Sequence, residues 1–192
     1  MKQTYSGFEA KKSVAYEQLP PPGLYIAEIQ AVRLEQSYDK TREQIACMIE
    51  IIEGEYAGQY HKVYENKRER YSDAKYPGVF TLVPPIEGDE PWRQKSFEGN
   101  LWCVEQSNPG YHWDWDEKKL KGKKIGINVR KNLYTYNNKD YEKTEIAKFE
   151  AIEDIRNGEA KVAKERDQRK KHDDSEDQPT LTDVTDEVEV PF

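Results

Sequence analysis

Apolar and polar positions alternate most clearly in a few short stretches of the chain. After the break Pro20-Pro21-Pro22-Gly23, Leu24 to Leu34 (LYIAEIQAVRL) is rich in Ile, Val and Tyr, with one face more apolar than the other, and predicts a strand. Gln44 to Glu53 (QIACMIEIIE) is the most apolar segment and reads as a central strand. Two glycines in the run from Glu53 to Gln59 signal a tight loop, after which Tyr60 to Glu65 reads as a further strand. Ile125, Ile127 and Val129 alternate with Gly126, Asn128 and Arg130, which predicts a strand from Ile125 to Leu133 with Lys124, Asn128 and Arg130 facing outward. Asn137-Asn138-Lys139-Asp140 is a hairpin turn signal, and Tyr141 to Ile152 returns as the partner strand.

One helix stands out. Ser96 caps a run to about Ser107 with Phe97, Leu101 and Val104 at i, i+4 and i+7, and Asn108-Pro109-Gly110 stops it. Trp102, inside this helix, is expected in the core. Asn66 to Pro91, broken by Pro77-Gly78 and Pro84-Pro85, reads as a long, partly structured loop or an excursion from the barrel. Glu153 to Lys171 has few apolar anchors and reads as a solvated or frayed helix. The pattern predicts a mainly β fold: an OB-like small β-barrel with one intervening helix, a C-terminal helix and a disordered acidic tail. A two-sheet sandwich fits the same pattern. The expected division is 1–152 for the barrel, 153–171 for a charged helix or linker, and 172–192 for the tail.

Composition sharpens this picture. Hydrophobic and charged residues each make up 35% of the 192 residues, and mean hydropathy is −1.06, so the ordered part should be small. Apolar content leans on 13 Tyr, 5 Phe and 4 Trp, which favour strands and also make stacking surfaces. The net charge is −7 but unevenly spread. Asp173 to Phe192 carries eight acids and no Lys or Arg, leaving 29 acids against 30 bases in the preceding chain. Such asymmetry marks an interaction tail, or one that competes with nucleic acid for a basic groove. Cys47 and Cys103 lie in apolar settings and are expected to be buried and reduced, which fits a cytoplasmic protein. Neither a signal peptide nor a membrane span is expected.

Enzymatic signatures are scarce. The chain has no phosphate-binding or dinucleotide-binding glycine loop and no Gly-x-Ser-x-Gly elbow, and His61, His112 and His172 lack ligand spacing with the cysteines. No cofactor, no metal and no catalytic residue is therefore expected. Asp114 and Asp116 make a metal pair only if more oxygen ligands join them; otherwise they are solvated loop residues.

Basic and aromatic residues are interleaved more suggestively. Single-strand binding needs cations for phosphates and flat side chains for bases. Lys123 and Lys124 lead into a strand ending Arg130-Lys131-Asn132-Leu133-Tyr134-Thr135-Tyr136, with Tyr134 and Tyr136 on one face. The same tyrosines also suit plain cross-strand packing. Lys67, Arg68, Arg70 and Tyr71 form a second cluster, fit for a mobile loop closing over a strand or for a charged surface loop, and Trp92 extends it. Trp113 and Trp115 suit either packing under a loop or stacking on bases. At the C-terminus, Glu189, Val190, Pro191 and Phe192 follow an acidic run. Phe192 offers a ring and an α-carboxylate to a partner, and Pro191 lowers the ordering cost.

That terminus resembles the tip of bacterial single-stranded-DNA-binding proteins, with Val190 where that family has Ile. The body resembles phage-encoded single-stranded-DNA-binding proteins long catalogued as a domain of unknown function. The similar stretches are Pro22-Gly23-Leu24-Tyr25, Glu53-Gly54-Glu55-Tyr56-Ala57-Gly58, Glu105-Gln106-Ser107-Asn108-Pro109-Gly110-Tyr111 and Leu120-Lys121-Gly122-Lys123-Lys124-Ile125-Gly126. The resemblance implies an OB-like fold and single-stranded DNA as partner during phage replication or recombination, inside the bacterial host. It also implies recruitment of host or phage DNA-processing proteins through the tail. Two other classes stay open: a protein-binding adaptor or anti-host factor with a DNA-mimicking tail, and a metal-dependent nuclease using Asp114 and Asp116. Self-association is a further expectation, because one small barrel covers few nucleotides.

Overall fold

A computed structural model of the protein describes residues 18–169. In chain order the elements are β1 (Gly23–Gln36), β2 (Glu43–Ile51), α1 (Gln59–Arg68), β3 (Val79–Leu82), α2 (Pro91–Ser107), β4 (Lys124–Tyr136), β5 (Lys139–Glu150), α3 (Ile152–Arg156) and β6 (Arg166–Gln168). The fold is mainly β, as expected. Five strands pair antiparallel in the order β3-β2-β1-β4-β5, and β6 runs parallel to β4 along Asn132 to Tyr134. The two ends of this path approach each other through Phe80 and Phe149, whose ring centroids lie 4.7 Å apart. No ladder joins β3 to β5 among the described residues, so the sheet is open.

The core follows from strand alternation. Ile45, Cys47, Ile49 and Ile51 on β2 meet Ala27 and Ile29 on β1 and Ile125, Ile127 and Val129 on β4. A bulge between Ile29 and Ala31 resets the register, so Val32 pairs with Cys47 on the core side while Ala31 and Arg33 pair with Met48 and Ala46 outside. The expected hairpin turn is present. Asn137 and Asn138 have φ of 48° and 58°, the left-handed pair that a two-residue turn requires.

α2 lays Phe97, Leu101 and Val104 on this core, as predicted. It begins at Pro91 rather than Ser96, because proline suits the first helical turn, where its missing N–H leaves nothing unpaired. Trp102 is not in the core. It is 51% exposed, since it lies on the far side of the helix from the Phe97-Leu101-Val104 stripe. Two side-chain amides hold α2 in place. Asn100 Oδ1 accepts from Phe149 N (2.7 Å). Asn108 donates to the Lys124 carbonyl (2.7 Å) and accepts from its N–H (3.1 Å), standing in for a neighbouring strand.

Three expectations fail. Tyr60 to Glu65 is helical, within α1, because Gly58 turns the chain with φ 74° and a side chain from β2 caps the new helix. The expected single intervening helix is exceeded: Asn66 to Pro91 is the partly structured loop expected but contains β3, so α1, α2 and, ahead of β6, α3 all lie between strands. Of the helix predicted over Glu153 to Lys171, the described residues, which end at 169, hold only α3, after which the chain leads without helix to β6.

That stretch crosses the outer side of β4 and overturns the exposure expected for Asn128, which is 0% exposed. Asn128 Nδ2 donates to Glu150 Oε1 (2.7 Å) and to the Lys161 carbonyl (2.9 Å), and its Oδ1 accepts from Ala163 N (2.8 Å). Beside it, a Cβ on Gly126 would stand 2.5 Å from Ile155 Cδ1 and 2.7 Å from the Glu150 carbonyl oxygen, so only glycine lets α3 settle there.

Arg42 and Asp89 tie the start of β2 to the loop before α2 through two hydrogen bonds of 2.7 and 2.9 Å. The guanidinium, with the Ile86 N–H, holds the Asp89 carboxyl down at about 2. A carboxylate with a lowered pKa stabilises the fold above its unfolded value near 3.8, and that contribution fades as pH falls through about 2. Arg42→Met should therefore flatten the acid limb of the stability curve between these values. Urea midpoints measured at stepped pH will show it.

No helix among the described residues is long and apolar enough to cross a membrane.

Candidate nucleic-acid interface

The outer face of β1, β2 and β3 carries two short rows, Ala31-Met48-Val79 and Arg33-Ala46-Thr81, set side by side by the strand register. Small residues keep this floor low. α1 and the loop that follows stand over it as a wall bearing Tyr64, Ala74, Lys75 and Tyr76. Between floor and wall lies a groove of about 620 Å³.

Glu50 builds the wall. It points outward from β2 into the first turn of α1, where backbone N–H groups lack helical partners and the helix dipole favours an anion. Its carboxylate accepts from Tyr60 N (3.1 Å), His61 N (2.7 Å) and the Tyr76 hydroxyl (2.7 Å). Burial, with this last bond, pushes the Tyr76 hydroxyl well above the usual phenol range. The Tyr76 ring meets Tyr64 edge-on at 5.5 Å, and the Arg68 guanidinium sits 5.6 Å from the Tyr64 centroid. A Cβ on Gly78 would collide with the Ile49 carbonyl and the Tyr60 ring, so glycine is needed where the loop returns to the sheet. Glu50→Ala should cost about 2 kcal/mol, since it removes a charged acceptor from four donors at once, the Ile51 N–H (3.0 Å) being the fourth. Chemical denaturation measures the loss.

Cations stand at the rim. Arg33 is well exposed and, among the described residues, makes its one ion pair with its neighbour Glu35 (3.0 Å), an arrangement weak enough to yield to a phosphate. Lys75 makes no ion pair among the described residues.

The residues singled out from sequence fall in three places. Lys67 and Arg68 end α1, with Arg70 and Tyr71 just beyond, and Arg68 joins this cluster to the groove wall through Tyr64. Lys123, Lys124, Arg130, Lys131, Tyr134 and Tyr136 lie on or just before β4. There Lys123 Nζ covers the Tyr111 ring at 4.3 Å. Arg130 is engaged by Glu145 (2.9 and 3.0 Å) and Lys131 by Glu142 (2.9 Å). Tyr134 stacks on Tyr141 (5.7 Å, 25°), with Lys143 over it, while Tyr136 is exposed near the turn. Trp92 stands on the first turn of α2, outside the groove lining. The partner-binding set Glu189, Val190, Pro191 and Phe192 lies outside the described residues.

Trp113 is half-buried against the core, edge-on to Phe97 at 6.3 Å, whereas Trp115 is exposed and stacks on Phe97 at 5.9 Å. Asp114 pairs with Lys119 and Asp116 caps the turn Glu117–Leu120 by accepting from Lys118 N, so both aspartates are occupied locally. No group of three metal-ligating side chains occurs among the described residues. Both cysteines are buried and free, and burial pushes their thiols up to about 12 for Cys47 and about 11 for Cys103.

Sequence reading missed Arg33, Tyr64, Lys75 and Tyr76. One signal was available. Ala46 and Met48 are apolar at successive outward positions of β2, and such a pair on an antiparallel strand has something to contact on its outer side.

No protein-family model matches the chain, and no curated protein matches it.

Proposed function

We propose that this chain is a non-enzymatic OB-type protein that binds single-stranded DNA in the groove over β1, β2 and β3. The observation that carries the reading is the groove's composition: an apolar floor, tyrosines along the wall, and Arg33, Arg68 and Lys75 around it. Bases stack on flat side chains while cations follow the phosphates, and neither needs a particular sequence. The strand order supports the OB reading, with α2 between β3 and β4 and the ends of the sheet drawn together at Phe80 and Phe149. In such partly open barrels the second and third strands and the two hairpin loops hold the oligonucleotide. Tyr136 and Lys139, at the β4–β5 turn, then extend the track.

The setting follows from the resemblance alone: protection of single strands in phage replication or recombination, with Glu189 to Phe192 recruiting DNA-processing proteins. The test is a titration of the full chain with a fluorescent oligo-dT and with a duplex of equal length, at low and moderate salt. Binding to the single strand, weak binding to the duplex and a linear fall of log K with log salt are expected. No binding at low salt overturns the proposal and leaves the adaptor reading, in which the groove takes a protein segment.

A further inference from the structure

The exposed side of α2 bears Trp92, Lys95, Gly99, Trp102 and Gln106, spaced alternately three and four residues apart, which lines them up on one face. This face lies opposite the one that buries Phe97, Leu101 and Val104. Trp92 is 60% exposed and Trp102 51%. The Arg93 guanidinium covers one side of the Trp92 ring at 4.8 Å, leaving the other side open. Gly99 is the odd member. It sits in the helix interior, where glycine is the poorest choice after proline, and a Cβ there would meet nothing within 4 Å. The fold of a single chain gives it no reason to be glycine.

The stripe is symmetric about Phe97. Trp92 and Trp102 lie five residues to either side, Lys95 and Gly99 two residues to either side. In a two-fold interface, residue i meets j and j meets i. Two antiparallel copies of α2 crossing near Phe97 therefore set Trp92 against Trp102 twice, and the Lys95 stem across the gap at Gly99 twice. Charge agrees with a second copy as partner. Lys95 and Glu98 flank the same edge of this face, and the antiparallel pairing sets Lys95 of one copy beside Glu98 of the other, so it brings unlike charges together instead of a single sign. We propose that two copies of this chain associate through the Trp92-Lys95-Gly99-Trp102 face of α2. The four half-exposed indoles remove about 400 Å² from water, roughly a third of the ~1,200 Å² of a small specific interface. An interface at or below the small end of this range gives a weak association, on the order of micromolar or weaker.

Sedimentation velocity on the full chain, up to about 100 µM, tests this. A monomer–dimer equilibrium is expected, with the tryptophans protected from acrylamide as the dimer fills. Trp102→Ala should weaken it about 30-fold, as truncation of a central aromatic does. Gly99→Leu is the second variant. The side chain has room in the monomer and favours helix, so the thermal midpoint holds or rises while the dimer weakens at least about tenfold. A monomer at every concentration overturns the proposal, as does a dimer that both variants leave intact. A monomer whose tryptophans become quenchable only after removal of residues 170–192 gives the face to the chain's own tail, and overturns it too.

Discussion

Asn128→Ala is expected to lower stability by about 3 kcal/mol, the largest loss from any single polar side chain of this fold. The residue is wholly buried, and three of its four hydrogen-bonding positions are used. Truncation leaves the Glu150 carboxylate, the Lys161 carbonyl and the Ala163 N–H to find other partners. Water reaches them only if the chain after α3 lifts off β4, so the protein loses either the hydrogen bonds or the packing of that segment. For a domain of this size, the expected drop in thermal midpoint is about 6–12 °C. Hydrogen exchange separates this from general weakening: amides from 161 to 168, including β6, should exchange early while those of β1 and β2 keep their protection. Asn128→Asp should do worse than alanine. An ionised side chain offers no donor to Lys161 and sets a second negative charge against Glu150. If either variant leaves the amides of β6 protected, the side chain is not what holds the segment down.

The same residue shows where sequence reading stops. Its neighbours Ile125, Ile127 and Val129 announce a strand by alternation, and the turn at Asn137-Asn138 announces its hairpin, because both signals are local. An outward asparagine in such a strand looks solvated, and only the placement of residues more than thirty positions later buries it. α1 was hidden for a similar reason. In Gln59 to Arg68, Tyr60, Val63 and Tyr64 stand at i, i+3 and i+4, a helical spacing in too short a run to decide, and the helix start is completed by Glu50, a residue of the preceding strand. Tertiary context completes what local pattern leaves open at both places. Trp102 is a different case. Its five-residue offset from Phe97 already puts it off the buried stripe, and the expectation of burial rested on its being aromatic. Of the candidate site, the Lys67 to Tyr71 cluster was visible as charge. The groove beside it was not, since it is made by folding the outward residues of three strands under a helix that sequence did not reveal.

Tyr64→Ala should weaken binding of oligo-dT by about 10- to 100-fold, the loss expected when one base loses an aromatic partner. Tyr64 forms the wall of the groove without anchoring it, because the hydrogen bonds to Glu50 come from Ile51, Tyr60, His61 and Tyr76. The variant should therefore fold normally, and its circular dichroism and urea midpoint serve as the control. Lys75→Ala and Arg33→Ala should act differently, each reducing the slope of log K against log salt by about 0.7, one released counterion on a single strand. Arg130→Ala gives the contrast. Arg130 already spends its charge on Glu145 at 2.9 Å, so its removal should lower the unfolding midpoint and leave the salt slope alone. The two sites suggested by chemistry thus make opposite predictions. If the slope falls for Lys123, Lys124 and Lys143 variants but not for Arg33 and Lys75, the strand binds along the β4–β5 hairpin. A fall confined to Arg33 and Lys75, together with the loss at Tyr64, puts the phosphates on the rim of the groove and a base against its wall.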